Sequence, residues 1–187
     1  PPWVYGGFYE YSNPYSPHAT HEWNLQPVSW LDVADVDKGP ARVMLTQAID
    51  IAAGGFFTTA LMADGTVRAW GKNDRAQLGA DTNGSDRILP GIVPLTQAIA
   101  VRSGYEHAVA LRADGHVWRW GGRFRNQGEA GTCDEENETY PPVEVKNLER
   151  IVVLSAGGWH TLAIDAGGTP WGWGWNDYAQ LAMNPVM

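Results

Sequence analysis

Ala53-Gly54-Gly55-Phe56-Phe57-Thr58-Thr59-Ala60-Leu61 is the stretch on which the fold turns, because the chain repeats it twice. Fifty residues on stands Ser103-Gly104-Tyr105-Glu106-His107-Ala108-Val109-Ala110-Leu111, and 53 beyond that Ala156-Gly157-Gly158-Trp159-His160-Thr161-Leu162-Ala163-Ile164. The register holds downstream. Asp64-Gly65 meets Asp114-Gly115 and Gly167-Gly168, and Trp70-Gly71 meets Trp120-Gly121 and Trp173-Gly174. Asn73-Asp74-Arg75-Ala76-Gln77-Leu78 then meets Arg123-Phe124-Arg125-Asn126-Gln127-Gly128 and Asn176-Asp177-Tyr178-Ala179-Gln180-Leu181. Several anchors agreeing at a period near 50 residues signal a propeller or solenoid.

Each copy reads as a small antiparallel sheet. Apolar residues 49–52, 99–101 and 151–154 supply a first strand, and the glycine-containing turn reverses the chain. Residues 58–61, 108–111 and 161–164 form a second strand, closed by a turn pair whose glycine takes positive φ. A third strand runs over 67–70, 117–120 and 171–173, each ending on an indole placed to bury against a neighbouring sheet. The tail holding Gln77, Gln127 or Gln180 leads toward a fourth, outer strand. The expected class is all-β, a β-propeller of four-stranded antiparallel blades. Its structural anchors are Gly54, Trp70, Gly71, Gly104, Trp120, Gly121, Gly157, Trp173 and Gly174.

The pattern Ala-Gly-Gly-x-His-Thr-x-Ala-Leu, then Asp-Gly-x-Val-x-x-Trp-Gly, then Asn-x-x-Gly-Gln-Leu-Gly resembles the repeat of the regulator of chromosome condensation family. The resemblance covers three copies, 43–92, 93–144 and 145–187, after an aromatic and proline-rich segment or degenerate blade at 1–42. It implies a ring of about seven blades and a protein-binding role. Nucleotide exchange on a small GTPase, inhibition of a secreted β-lactamase and scaffolding all occur under that resemblance, and no residue selects among them. Ala76, Asn126 and Ala179 depart from it, standing where the family favours glycine. These departures weaken the assignment of that turn and not that of the fold.

Composition narrows the function further. Twenty-two glycines and 10 tryptophans in 187 residues suit tight turns between aromatic-rich strands. A formal net charge of -8 with no Lys/Arg run would repel a phosphate backbone, so nucleic acid is not an expected partner. No stretch reaches the roughly 18 apolar residues of a spanning helix, so no membrane insertion is expected. Cys133 is a single cysteine and decides no compartment. A chain that begins without Met is compatible with a processed product, which leaves secreted and cytoplasmic locations both open.

No catalytic set emerges. His107 and His160 share one repeat position with Phe57, which reads as blade packing. His18, His21 and Glu22 lack further ligands, and the acidic turns at Asp32, Asp35, Asp37 and at Asp81, Asn83, Ser85, Asp86 lack the spacing and closing glutamate of an EF-hand. Acidic neighbours raise the thiol pKa of Cys133, which makes it a poor nucleophile. Trp3, Trp23 and Trp30 read as packing residues. The expectation is a non-enzyme with no cofactor and no metal.

The most individual stretch is 129–142, with five acidic residues and no basic one, where the second repeat gains its three extra residues. Insertions in repeats map to loops on one face, where partners are commonly engaged. Arg123, Phe124, Arg125, Asp134, Glu135, Glu136, Glu138 and Tyr140 are therefore the candidate partner-binding residues of a non-catalytic binding or scaffold propeller. Two alternatives stand beside it. Gly172-Trp173-Gly174-Trp175-Asn176 and Gly158-Trp159-His160-Thr161 look similar to the plant UV-B photoreceptor, which suggests light sensing, and the second alternative is an inhibitor of a secreted enzyme. Three repeats fall short of the four to eight blades that close a ring. The open blade faces are expected to be covered by further repeats, a second copy or another subunit.

Overall fold

The computed structural model describes residues 43, 45–80, 84–122 and 141–182, most of the second of two units into which the chain divides at Leu45 and Thr46. The candidate residues Arg123 to Tyr140 and the segment 1–42 lie outside the described residues, as do His18, His21 and Cys133.

Eleven strands and no helix make up the described chain. In the first blade, β1 (Ala48–Ala53), β2 (Phe57–Met62), β3 (Val67–Gly71) and β4 (Arg87–Val93) pair in sequence order, all antiparallel. The second blade repeats this with β5 (Ala98–Ser103), β6 (His107–Arg112), β7 (Val117–Gly121) and a short β8 (Val143–Glu144). The third has β9 (Ile151–Ala156), β10 (His160–Asp165) and β11 (Pro170–Gly174), without a fourth strand among the described residues. The strands expected from the repeat thus appear where the Gly and Asp-Gly turns bracket them.

Registers confirm the equivalence. Trp70, Trp120 and Trp173 stand opposite Thr58, Ala108 and Thr161 in the three blades. A bulge recurs in each innermost pair, passing over Ile49, Ile99 and Val152, and all three of these aliphatics are exposed. A residue inserted into one strand of a pair is left without a partner there, which frees its side chain from the ladder.

The core lies between blades. Leu61, Val67 and Leu78 of the first meet Val101, Ala110 and Trp120 of the second, and Val109, Leu111 and Val117 of the second meet Leu154 and Ala163 of the third. Two-fold alternation along β2 and β6 sends every other residue into these joints. Backbone bonds lace the blades at both rims. At one, Gly55 N donates to Tyr105 O (3.1 Å) and Tyr105 N to Gly158 O (2.7 Å); at the other, Ala98 N donates to Gly65 O and Ile151 N to Gly115 O, both at 3.0 Å. Among the described residues three sheets stand side by side and no further sheet closes a ring.

Candidate protein-binding surface

The rim that carries the β1–β2, β5–β6 and β9–β10 turns is built on the repeated glycines. Gly54, Gly104 and Gly157 each donate a backbone bond to the carbonyl three residues on, of Phe57, His107 and His160. That tight turn lays the ring of the same residue over the glycine. A Cβ there would come within 2.2 Å of the Phe57 ring, 2.2 Å of His107 or 2.1 Å of His160. A side chain is excluded by contact alone, which is why glycine recurs.

On this rim five aromatic rings form a continuous strip across the three blades. Phe56 meets Tyr105 (centroids 5.6 Å apart), Tyr105 meets Trp159 (5.4 Å), Trp159 meets Trp175 (5.3 Å) and Trp175 meets Tyr178 (5.2 Å). Three of the contacts are edge-on, the geometry that ring quadrupoles favour. Phe56, Tyr105 and Tyr178 are exposed, the last at 80%. Lys72 Nζ lies 5.5 Å from the Phe56 centroid and also pairs with Asp74 at 2.9 Å, while Arg75 faces Glu106 at 3.7 Å. The strip is thus rimmed by charges of both signs. An exposed, contiguous apolar surface edged by polar groups is the usual mark of a site that contacts another molecule.

Beneath the strip the side chains are structural. His107 is fully buried, with Nε2 3.0 Å from Thr161 Oγ1 across the second joint. Burial, and secondarily the nearby charge of His160, push its pKa down to about 4, so the ring is neutral at physiological pH. Thr59 Oγ1 and Ser103 Oγ form the matching polar contact across the first joint at 3.0 Å. On the exterior, hydrogen bonds from Thr66 hold the Asp64 carboxyl below the usual range, and backbone donation from Thr169 with the Trp171 indole does the same for Asp165. Both carboxylates stabilise turns. Among the described residues no group of three or more His, Cys, Asp or Glu is placed to hold a metal ion.

Models of the regulator of chromosome condensation (RCC1) repeat match residues 48–77 and 151–180 in one form and 64–111 and 114–164 in another, which together take in most of the chain. The chain belongs to the RCC1 repeat family. The regulator of chromosome condensation of Xenopus laevis is 33% identical over 152 residues, covering 79% of this chain and 36% of the relative. Among solved structures, Prp20p from Saccharomyces cerevisiae, described with its binding properties to Gsp1p and histones, matches with a TM-score of 0.63 at 22% identity, covering 76% of this chain and 36% of Prp20p. Human WBSCR16 matches with a TM-score of 0.60 at 18% identity, over 69% and 33%. The chain spans about a third of the length of each. These likenesses establish the fold as a β-propeller architecture.

Against the RCC1 repeat, the alanine departures are informative. Ala76 and Ala179 adopt φ of 59° and 57°, in the left-handed region. The turn forms in both blades despite the missing glycine. Leu78 N donates to Asn73 Oδ1 (2.9 Å) and Arg75 N to Gln77 Oε1 (2.7 Å); Leu181 N donates to Asn176 Oδ1 (2.8 Å) and Tyr178 N to Gln180 Oε1 (3.0 Å). The turn thus forms without its glycine, because Asn and Gln side chains hold it from within. Asp86, one of the residues weighed for a calcium loop, accepts from Asn73 N at 2.9 Å and braces the same turn.

The repeated tryptophans are equivalent in register and unequal in burial. Trp120 is fully buried, its Nε1 donating to Gln77 O (2.9 Å) and its indole lying against Gly79 of the preceding blade. Trp70 and Trp173 are half-buried, so the three indoles share the expected position but not the same degree of burial. Burial of this indole depends on the blade before it. The aromatic strip itself was missed by sequence reading. Its members sit at positions that differ between copies, Phe56 aligning with Glu106 and Trp159, and Tyr105 with Gly55 and Gly158. Large rings at positions where the repeat does not require them were the available signal.

Proposed function

We propose that this chain is a non-catalytic protein-binding propeller segment that engages its partner through the rim carrying Phe56, Tyr105, Trp159, Trp175 and Tyr178. The observation that carries the reading is the continuity of that exposed strip across three blades. Aromatic residues are enriched at the centres of protein interfaces because they bury large area at small entropic cost. Prp20p, a protein of the same fold, is described as binding Gsp1p and histones and as bound to Kap60, so a protein partner suits the scaffold. In sequence, Arg123, Phe124, Arg125 and the acidic stretch 129–142 follow β7 as Trp175 and Tyr178 follow β11. We assign Asp134, Glu135, Glu136 and Glu138 a steering role in the same encounter, which speeds association through charge.

The test is capture from the native source on three immobilised forms of the 187-residue chain: wild type, Phe56→Ala with Tyr178→Ala, and a form with the four carboxylates neutralised. A specific partner is lost from the second form, and from the third it associates more slowly with a flatter salt dependence. Identical capture by all three removes the strip and the insert from binding. The light-sensing and enzyme-inhibitor alternatives have no observation of their own in their favour. Trp70, Trp120 and Trp173 occupy the position that packs one blade on the next.

A further inference from the structure

The charge of the repeats is not shared evenly along the chain. Residues 43–187 hold 16 acidic and 11 basic side chains. β3, β7 and β11 run toward the rim of the aromatic strip, since each ends opposite the first residue of the strand that follows the glycine turn. The segments that come after them in sequence, 72–86, 122–142 and 175–187, together with the turns 54–56, 104–106 and 157–159, hold ten of the acidic residues and four of the basic ones. The rest of the repeats holds six and seven, so the surplus acid goes with the strip. The described bases near this rim are already engaged: Lys72 by Asp74, Arg75 by Glu106, and Arg87 by the Ile92 carbonyl further down β4. Asp86 and Asp177 stand exposed, with no basic side chain in ion-pair reach among the described residues.

We propose that the occupant of this rim is an arginine-bearing segment of the partner, its guanidinium groups laid on the Phe56, Tyr105 and Tyr178 rings and paired with Asp86 and Asp177. The inference rests on the rim-binding reading and gives the partner its chemistry. An aromatic face attracts a cation through its quadrupole, and a neighbouring carboxylate adds charge complementarity. The chain already makes both halves of such a contact. Lys72 Nζ lies 5.5 Å from the Phe56 centroid while paired with Asp74, and the Arg112 guanidinium lies 5.6 Å from the Trp118 centroid elsewhere on the second blade. Arginine suits the site better than lysine, because its planar, weakly hydrated group stacks on a ring and still offers donors at its edge. An acidic segment would be repelled, and an uncharged apolar one would cover the rings and leave the carboxylates without a partner. The strip crosses the blades along a rim, so joining two blades lengthens it and does not cover it: Phe56 and Tyr105 remain 53% and 39% exposed on either side of a closed joint.

Fluorescein-labelled Arg-Gly, Lys-Gly and Glu-Gly repeat peptides of one length, titrated with the full 187-residue chain and followed by anisotropy, test it. The Arg-Gly peptide binds, the Lys-Gly peptide binds about fivefold more weakly, and the Glu-Gly peptide does not bind. Phe56→Ala with Tyr178→Ala, both at exposed positions, raises the Kd for Arg-Gly about tenfold and narrows its advantage over Lys-Gly. Asp177→Asn raises it about threefold and flattens its salt dependence. Thermal melts matching wild type show that both variants are folded. No binding of Arg-Gly, equal binding of Arg-Gly and Lys-Gly, or an unchanged Kd in the ring variant each overturns the proposal. The rim reading is judged separately: a natural partner that the ring variant loses, but that excess Arg-Gly peptide does not displace from wild type, keeps the rim as the binding site and overturns arginine as its ligand.

Discussion

The second and third blades share one sequence pattern and one strand register, yet they are held differently. The second is clasped on both faces: His107 and Trp120 are fully buried, and its forward residues Val109, Leu111 and Val117 lie under the third blade. The third is clasped on its rear face only. On its forward face His160, the equivalent of His107, is half-buried, and Leu162 and Ile164 are exposed. Identical local instructions therefore yield unequal energies, because in a repeat protein much of the stability resides in the contacts between neighbours. The repeat sets each blade's shape. Its neighbours set how much each residue is worth.

Truncating the indoles is the most severe test of that contrast. Trp120→Ala removes a fully buried side chain and its bond to Gln77, and is expected to cost about 3 to 5 kcal/mol in urea unfolding. Trp173→Ala, at the same register position, should cost about half as much, since the half-exposed ring gives up less. Equal losses would break the comparison.

Acid offers the next contrast. The folded-state pKa of His107 is depressed to about 4 from an ordinary value of 6.5, so the unfolded chain binds the proton first. Stability is then full above pH 6.5 and falls as the pH drops through that window toward 4, by about 3 kcal/mol in all. His107→Phe, which copies Phe57 of the first blade, should remove most of that slope. A variant that keeps the wild-type slope between pH 6.5 and 4 would transfer the effect to other groups.

Glycine substitutions sharpen the same point within one turn type. A Cβ at Gly104 would strike the His107 ring at 2.2 Å and the fixed Gly157 carbonyl at 2.6 Å, so Gly104→Ala should cost about 1 to 3 kcal/mol. At Gly158, with nothing within 4 Å, alanine should be neutral within about 0.5 kcal/mol. Thermal melts of the two variants decide it. A modest gain is expected elsewhere: Ala179→Gly relieves a left-handed alanine at an exposed site and should stabilise by about 0.5 to 1 kcal/mol. Ala76→Gly should gain almost nothing, because it also removes a buried methyl group worth about 0.8 kcal/mol.

Sequence made the strands of each blade readable because glycine and Asp-Gly turns punctuate them and apolar residues alternate between. Among the described residues no fourth strand follows Pro170–Gly174. The unequal burial of Trp70, Trp120 and Trp173 was out of reach, because it depends on which residues of the preceding blade meet the indole, as Gln77 and Gly79 meet Trp120, and the repeat pattern does not fix them. The aromatic strip was hidden for the opposite reason. Phe56, Tyr105 and Tyr178 break the repeat, and only the fold brings residues of three blades onto one rim.

The lacing from Gly55 to Tyr105 to Gly158 is made of peptide groups alone. Side-chain joints must be matched in shape on both sides, and a change on one side strands the other. A seam of main-chain atoms carries no such debt, since every residue other than proline offers the same donor and acceptor. A duplicated blade can therefore join the row before its own side chains have diverged to fit, and the rim residues above the seam are left open to vary for recognition. Glycine at 55 and 158 and tyrosine at 105, two different choices at one seam position, are that freedom in use.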